Sequence, residues 1–397
     1  MSELPRIILK SGKDQSLKRY HPWVFSGAIK KTQGEFEEGD WVEVYNNKDE
    51  FLALGHYQQS SIALRVMSFE KELNIQTLYR ERIQQAFELR AKLGIINSSH
   101  TNVFRLINAE GDGLPGLIID YYDGDLVIQM HSVGMWKDFQ IILDSLTGLK
   151  GLEVNRIYNK SASTLPFKAQ VEIEDGFVFG EEKKSDNIVI ENGCKFYVDF
   201  IGGQKTGFFI DQRNNRNLLK SYSEGKRVLN MFGYTGGFSV FALKGGASSV
   251  HTVDSSAKAT ELADKNIQLN FPGNSNHVSF ARDAMDFFSN PPEKYDVIVL
   301  DPPAYAKHHN VLSNALQGYK KINRRAFEII EPGGILFTFS CSQVVSKENF
   351  RKSVFTAAAN TGRSIRILHQ LSQPPDHPVS IYHPEGEYLK GLVLQVD

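Results

Sequence analysis

Asn230-Met231-Phe232-Gly233-Tyr234-Thr235-Gly236-Gly237-Phe238 is the stretch that decides how the second half of this chain folds. A strand-like run over residues 227–231 leads into it, and three glycines follow where that run must turn. Glycine carries no Cβ, so the backbone there can pass close to a ligand. A strand, a glycine turn and a helix open a βαβ unit, whose ligands sit beyond the carboxyl ends of the strands. Further strand-like runs cover 249–253, 278–281, 295–300 and 335–340, with helical patterns at 258–270 and 312–330 between them. In the second helix Leu312, Leu316, Tyr319, Asn323 and Phe327 share one face. Strands alternating with helices predict a doubly wound, parallel α/β sheet with right-handed crossovers. A last strand at 391–396 closes the chain.

Three successive strands of this pattern each deliver an acid to the same edge. The second ends at Asp254, where a carboxylate can accept hydrogen bonds from ribose hydroxyls. The third ends at Arg282-Asp283 and the fourth at Asp301-Pro302-Pro303. Turn chemistry favours aspartate at strand ends, so a single acid would mean little. Three in register behind a glycine turn predict a nucleotide-like ligand. A nicotinamide dehydrogenase is disfavoured, because Gly233-x-x-Gly236-Gly237 is not the Gly-x-Gly-x-x-Gly that cradles a pyrophosphate. The fifth strand ends at Phe339-Ser340-Cys341-Ser342, a thiol for which hydride transfer has no obvious use.

The first half is organised differently. Short apolar runs such as Trp41-Val42-Glu43-Val44-Tyr45 and Phe51-Leu52-Ala53-Leu54-Gly55, split by Asn46-Asn47, predict a small β-rich module. Residues 75–93 carry apolar side chains at helical spacing and end at Gly94, which predicts an amphipathic linker helix. Strands at 117–121 and 126–130 and one helix near 136–146 follow, and the charged, turn-rich stretch 180–187 suits a boundary. The expected organisation is a β module at 1–72, a linker helix and small α+β domain at 73–190, and the α/β domain at 191–397.

Composition narrows the setting. No apolar run approaches the roughly 20 residues that cross a bilayer, and the N-terminus has no apolar signal core. Two cysteines, Cys194 and Cys341, are too few for a disulfide framework or a cysteine-rich zinc site, so a reducing cytoplasmic setting is expected. Cys194, beside Gly193 in a hairpin-like strand, reads as structural. His308 and His309 are adjacent and cannot ligate from one helix face, so no metal is expected. The net charge of −1 is an average over the whole chain. The first 31 residues hold seven Lys or Arg against two Asp or Glu, a basic patch that suits phosphate or, equally on charge alone, a solvated charged face. Lys18 and Arg19 are its expected phosphate contacts, and Trp23 and Phe25, at strand spacing, are expected to pack in the core.

Together, the 230–238 turn, Asp254, Asp283, Asp301-Pro302-Pro303 and Phe339-Ser340-Cys341-Ser342 resemble the RlmI-type 23S ribosomal RNA (cytosine-C5)-methyltransferases. The likeness extends to His21-Pro22-Trp23-Val24-Phe25-Ser26-Gly27, to Glu110-Gly111-Asp112-Gly113-Leu114-Pro115-Gly116-Leu117, to Lys205-Thr206-Gly207-Phe208-Phe209-Ile210-Asp211-Gln212-Arg213, and to Tyr388-Leu389-Lys390-Gly391. It implies an N-terminal PUA β-barrel that binds RNA, a central α+β domain and a C-terminal Rossmann-like class I methyltransferase fold. S-adenosylmethionine is the implied cofactor and 23S ribosomal RNA the implied partner; such enzymes can form homodimers. By the same resemblance Phe232, Gly233, Tyr234, Thr235, Gly236 and Gly237 line the methionine end of the cofactor. Asp254 holds its ribose, Asp283 with Ala284 reads its adenine, Asp211 and Arg213 fix its charged amino-acid end, and Asp301 borders it. Many members follow Asp-Pro-Pro with a lysine and then an aromatic residue; here Ala304-Tyr305 follow, and Lys307 comes later.

Carbon 5 of cytosine needs activation before it can accept a methyl group. A thiolate adding at carbon 6 pushes electron density to carbon 5, and Cys341 suits that nucleophilic role. Asp301 is the expected partner of the base's N3 and exocyclic N4 edge, aimed at charge that develops in the adduct. Tyr305 is a candidate for stacking on the target base, which would have to be flipped out, and equally a candidate for packing. Two alternatives remain open from the sequence: methylation of a guanine nitrogen, which needs no thiol, and a non-catalytic RNA-binding role in ribosome assembly.

Overall fold

The computed structural model describes residues 4–71, 74–165, 173–182, 187–306 and 308–397. The expected break at 72–73, residues 183–186 of the turn-rich stretch and Lys307 lie outside the described residues. The chain forms two compact units: Met1–Asn187 with Asp199–Phe208 and Pro375–Gly386, and Ile188–Val198 with Phe209–Pro374 and Glu387–Asp397. Two stretches beyond residue 190 therefore pack with the first unit.

The first unit opens with β1 (Arg6–Leu9), the short helix α1 (Gln15–Lys18), β2 (Trp23–Phe25), β3 (Ile29–Gln33), β4 (Trp41–Tyr45), β5 (Phe51–Tyr57) and β6 (Ile62–Ser68). They form one six-stranded sheet in the order β2-β6-β5-β4-β1-β3. Alternation along the strands turns Val42, Val44, Leu64 and Val66 into its core. Helix α2 (Ile75–Lys92) precedes β7 (Val103–Asn108), β8 (Leu117–Tyr122), β9 (Asp125–Met130), α3 (Val133–Lys137), α4 (Phe139–Thr147), β10 (Arg156–Asn159) and β11 (Gly176–Phe179). Their sheet runs β11-β10-β9-β8-β7.

The single helix expected near 136–146 is thus two, broken at Asp138. The Asp138 carboxylate accepts hydrogen bonds from Trp41 Nε1 (3.0 Å), Tyr79 Oη (2.8 Å) and, at 2.9 Å, pairs with His56 Nε2. A side chain held by three partners fixes the backbone where the break occurs.

The second unit begins with a hairpin, β12 (Ile188–Glu191) and β13 (Cys194–Tyr197), whose turn residues Asn192 and Gly193 both have positive φ (47° and 73°). Two-residue hairpin turns that match strand twist require that backbone. Helix α5 (Arg213–Lys220) leads into β14 (Arg227–Met231), α6 (Gly237–Lys244), β15 (Ser249–Asp254), α7 (Ala257–Asn270), β16 (His277–Ala281), α8 (Ala284–Ser289) and β17 (Tyr295–Leu300). Then come α9 (Leu312–Ile329), β18 (Ile330–Ser340), α10 (Lys347–Ala359), β19 (Ile365–Leu371) and β20 (Lys390–Val396). The seven-stranded sheet runs β16-β15-β14-β17-β18-β20-β19. Strands β14 to β18 are parallel, and β20 inserts antiparallel between β18 and β19. The strand order reverses between β14 and β17, which places a crevice at their carboxyl ends. Central strands buried on both faces read as near-continuous apolar runs, as Val297, Ile298, Val299 and Leu300 do.

Candidate active site

Five strand ends meet on one edge of the second unit's sheet. The glycine turn after β14 is shaped as much by packing as by any ligand. A Cβ on Gly233 would stand 2.4 Å from Thr252 Cγ2, and Gly236, at φ 77°, would bring one to 2.9 Å from the Ala263 side chain. Two of the glycines are therefore required by β15 and α7, a reason the sequence alone did not supply. Phe232 and Tyr234 hold left-handed backbone (φ 60° and 45°) without glycine's freedom, and such strain gathers at functional turns. Beneath the turn runs a polar chain: Asn230 Nδ2 donates to Ser239 Oγ (2.9 Å), which bonds Thr252 Oγ1 (2.6 Å), which bonds His277 Nε2 (2.7 Å). Burial holds the His277 imidazole below its usual range.

The acids are already at work on the backbone. Asp254 accepts the Tyr234 N–H on one oxygen at 3.0 Å and the Ser256 N–H on the other at 2.9 Å. A carboxylate oxygen has two lone pairs, so each can still take a hydroxyl. Asp283 is exposed and caps α8, one oxygen accepting from Met285 N–H (2.7 Å) and Asp286 N–H (3.2 Å). Ala284 is buried beside it. These residues fit a nucleoside cofactor, with spare acceptors fixed at the ends of neighbouring strands.

Beyond the reversal, β17 and β18 run side by side with Leu300 opposite Thr338. Asp301-Pro302 and Ser340-Cys341 therefore leave the sheet together. Cys341 is half-buried, its Sγ 3.9 Å from the Pro302 carbonyl oxygen, so the thiol stands at the edge rather than deep in packing. Ser340 Oγ donates to Tyr319 Oη at 2.9 Å, and burial pushes the Tyr319 phenol up to about 12. Lys390 lies opposite Ser340 on β20, and its ammonium donates to the Ser342 carbonyl. Burial lowers its pKa to about 8. By contrast Cys194 is buried in the hairpin, and burial pushes its thiol up.

Asp211 and Arg213 lie at the entrance to α5, both buried. Asp211 accepts from Tyr388 Oη at 2.8 Å. Arg213 Nε is 3.8 Å from Glu191, whose two oxygens are clamped by Arg216 at 2.7 Å each. Glu191 is fully buried and was missed by sequence reading, as was the buried Lys390. The available signal was a lysine heading an otherwise apolar strand, since lysine is rarely buried.

Several expected contacts are placed differently. The Tyr305 ring is half-buried and packs on Tyr319 at 4.8 Å and over Gly318, against the core. Phe25, expected in the core, is 48 % exposed, and Trp23 is half-buried with its Nε1 donating to Glu110 at 2.8 Å. Lys18 and Arg19 are both exposed; Lys18 Nζ pairs with Asp14 at 2.7 Å, while Arg19 makes no ion pair among the described residues. No helix of the described residues is long and apolar enough to cross a membrane.

Comparison with known proteins agrees with this geometry. Residues 113–392 match the family described as S-adenosylmethionine-dependent methyltransferase, and residues 7–69 match the PUA-like domain family. A solved chain from Streptococcus mutans, described as a SAM-dependent methyltransferase, superimposes with a TM-score of 0.85 at 23 % identity, covering 98 % of this chain and 100 % of that one. A methyltransferase structure complexed with SAH matches equally, with a TM-score of 0.85 at 24 % identity over 98 % and 100 %. At that identity these two establish the fold alone. The fold and site together define a class I S-adenosylmethionine-dependent methyltransferase with an N-terminal PUA-like half-barrel and a central domain. The ribosomal RNA large subunit methyltransferase I of Aeromonas salmonicida is 41 % identical over 394 residues, covering 98 % of each chain. That of Klebsiella pneumoniae (strain 342) is 38 % identical over 401 residues, covering 100 % of this chain and 99 % of its own. The chain belongs to the ribosomal RNA large subunit methyltransferase I family.

Proposed function

We propose that this enzyme methylates carbon 5 of a cytosine in large-subunit ribosomal RNA through a transient covalent bond to Cys341. The observation that carries the reading is a half-buried thiol at the tip of β18, beside Asp301-Pro302 on the neighbouring strand. S-adenosylmethionine supplies an electrophilic methyl group. Phe232, Gly233, Tyr234, Thr235, Gly236 and Gly237 would line its methionine end, Asp254 its ribose, and Asp283 with Ala284 its adenine. Asp211 and Arg213 would fix the charged amino-acid end, a carboxylate and a guanidinium suited to a zwitterion.

The Cys341 thiolate adds to carbon 6, and electron density passes to carbon 5, which becomes nucleophilic. Asp301 hydrogen-bonds the N3 and N4 edge and favours protonation at N3 as the adduct forms. After methylation a base removes the carbon-5 proton, carbon 5 and carbon 6 regain their double bond, the thiolate leaves, and N3 gives back its proton. The first 72 residues are the RNA-docking module: Lys10, Lys13, Lys18, Arg19, Lys30 and Lys31 are all exposed there, and Tyr20 and Phe25 present exposed rings beside them. A homodimer is the assembly to look for by light scattering.

The deciding experiment is Cys341→Ala. It is expected to bind S-adenosylmethionine in isothermal titration and to leave no 5-methylcytosine in RNA nucleosides by mass spectrometry. Full activity in that variant defeats the covalent route.

A further inference from the structure

Lys390 is 5 % exposed, yet it makes no ion pair with a carboxylate among the described residues. Lysines that deep in a protein are nearly always paired. Its ammonium is tied to the Ser342 carbonyl, and strand pairing sets it opposite Ser340, so it grips the turn that carries Cys341 from both sides. The charged groups that face it are Cys341 after β18, Lys347 on α10 and Glu387 just before β20. Lys347 and Glu387 satisfy each other at 2.6 Å. Cys341 is thus the acid left to answer the buried charge.

We propose that Lys390 is a positioning residue that holds Cys341 as a thiolate ready to attack. This rests on the reading of Cys341 as the nucleophile. The Asp301 carboxylate, on the neighbouring strand end, opposes a second anion there, and Tyr319 faces the thiol as a neutral phenol. A thiolate at that spot needs a cation, and helpful cations are what lower cysteine pKa values. At pH 7 a lysine titrating at about 8 is still protonated about ten to one, so it acts by its charge and not as a proton acceptor. The thiol gives its proton to water before substrate arrives. The same ammonium receives the thiolate again when the sulfur–carbon-6 bond breaks.

Alkylation of the full-length protein with iodoacetamide, followed at the Cys341 peptide across pH, tests this. Cys194 is buried and does not compete. Wild type is expected to alkylate with a midpoint clearly below that of an ordinary thiol, about 8.5. Lys390→Gln keeps a donor for the Ser342 carbonyl but no charge, and should raise the midpoint and slow alkylation at pH 7 about tenfold. Lys390→Arg restores the charge and should come back to within about threefold of wild type. In methyl transfer Lys390→Gln should lower kcat by a similar factor and leave KM for S-adenosylmethionine unchanged. A wild-type midpoint at the ordinary thiol value overturns the proposal without needing any variant to fold, and so does a Lys390→Gln protein that alkylates at the wild-type rate. Failure of the underlying reading looks different: wild-type product RNA would then carry no 5-methylcytosine, whatever the alkylation profile.

Discussion

The two halves of the parallel sheet put different chemistry on one edge. On the β16-β15-β14 side the polar groups are engaged before any ligand arrives. Asp254 holds two amides, Asp283 caps α8, and the chain from Asn230 to His277 backs the glycine turn. On the β17-β18-β20 side stand a half-buried thiol, a carboxylate and a buried lysine. The first half is a cradle fixed by backbone geometry; the second keeps charge and reactivity in a poorly solvated place, where electrostatic effects are larger. Binding and chemistry should therefore separate under mutation, with the strand-order reversal as the dividing line.

Cys341→Ser is the strongest way to break that division. A serine hydroxyl cannot replace the thiolate, so methyl transfer should fall by about a thousandfold or more. Titration calorimetry should give a cofactor affinity close to wild type. An equal loss of binding would mean that the two halves are not separable. Arg216→Met asks whether the cradle's support is structural. It leaves Glu191 buried without its bidentate partner, and stripping one member from a buried pair costs about 3–5 kcal/mol. Urea unfolding should show the loss.

These particulars also mark what the sequence could tell. The parallel strands were legible because each is an apolar run bounded by turn residues, and the acids were legible because they directly follow those runs. What the acids do was not: the hydrogen bond from Tyr234 to Asp254 joins two strand ends through the fold. The helix break at Asp138 depends on Trp41, His56 and Tyr79, all distant in the chain. For Tyr305 the sequence left stacking and packing equally open, and that Gly318 on α9 lies under its ring is visible only in the fold. Local patterns report faces and ends; partners brought in from afar need the fold.

Asp254→Ala sharpens the comparison from the cradle side. It removes the acceptor of two backbone N–H groups as well as the proposed ribose ligand. S-adenosylmethionine affinity should weaken about 10- to 100-fold, and stability should drop by about 1–3 kcal/mol for the amides left without their partner. The rate of Cys341 alkylation should stay at the wild-type value. A large change in that rate would tie the thiol's reactivity to the wrong half of the sheet.

The smallest effects belong to the basic patch of the first unit, and they set the floor for the rest. Lys18 already spends part of its charge on Asp14 at 2.7 Å, whereas Arg19 makes no such pair among the described residues. Arg19→Ala should weaken RNA binding a few-fold and lower the slope of log K against log salt by about 0.7 to 0.9, the contribution of one phosphate contact. Lys18→Ala should do less on both counts, because the Asp14 carboxylate already offsets part of the charge that the substitution removes. Neither residue belongs to the sheet edge, so cofactor titration and Cys341 alkylation should not move in either variant. Equal salt slopes for the two would show that the Asp14 pair opens when RNA binds.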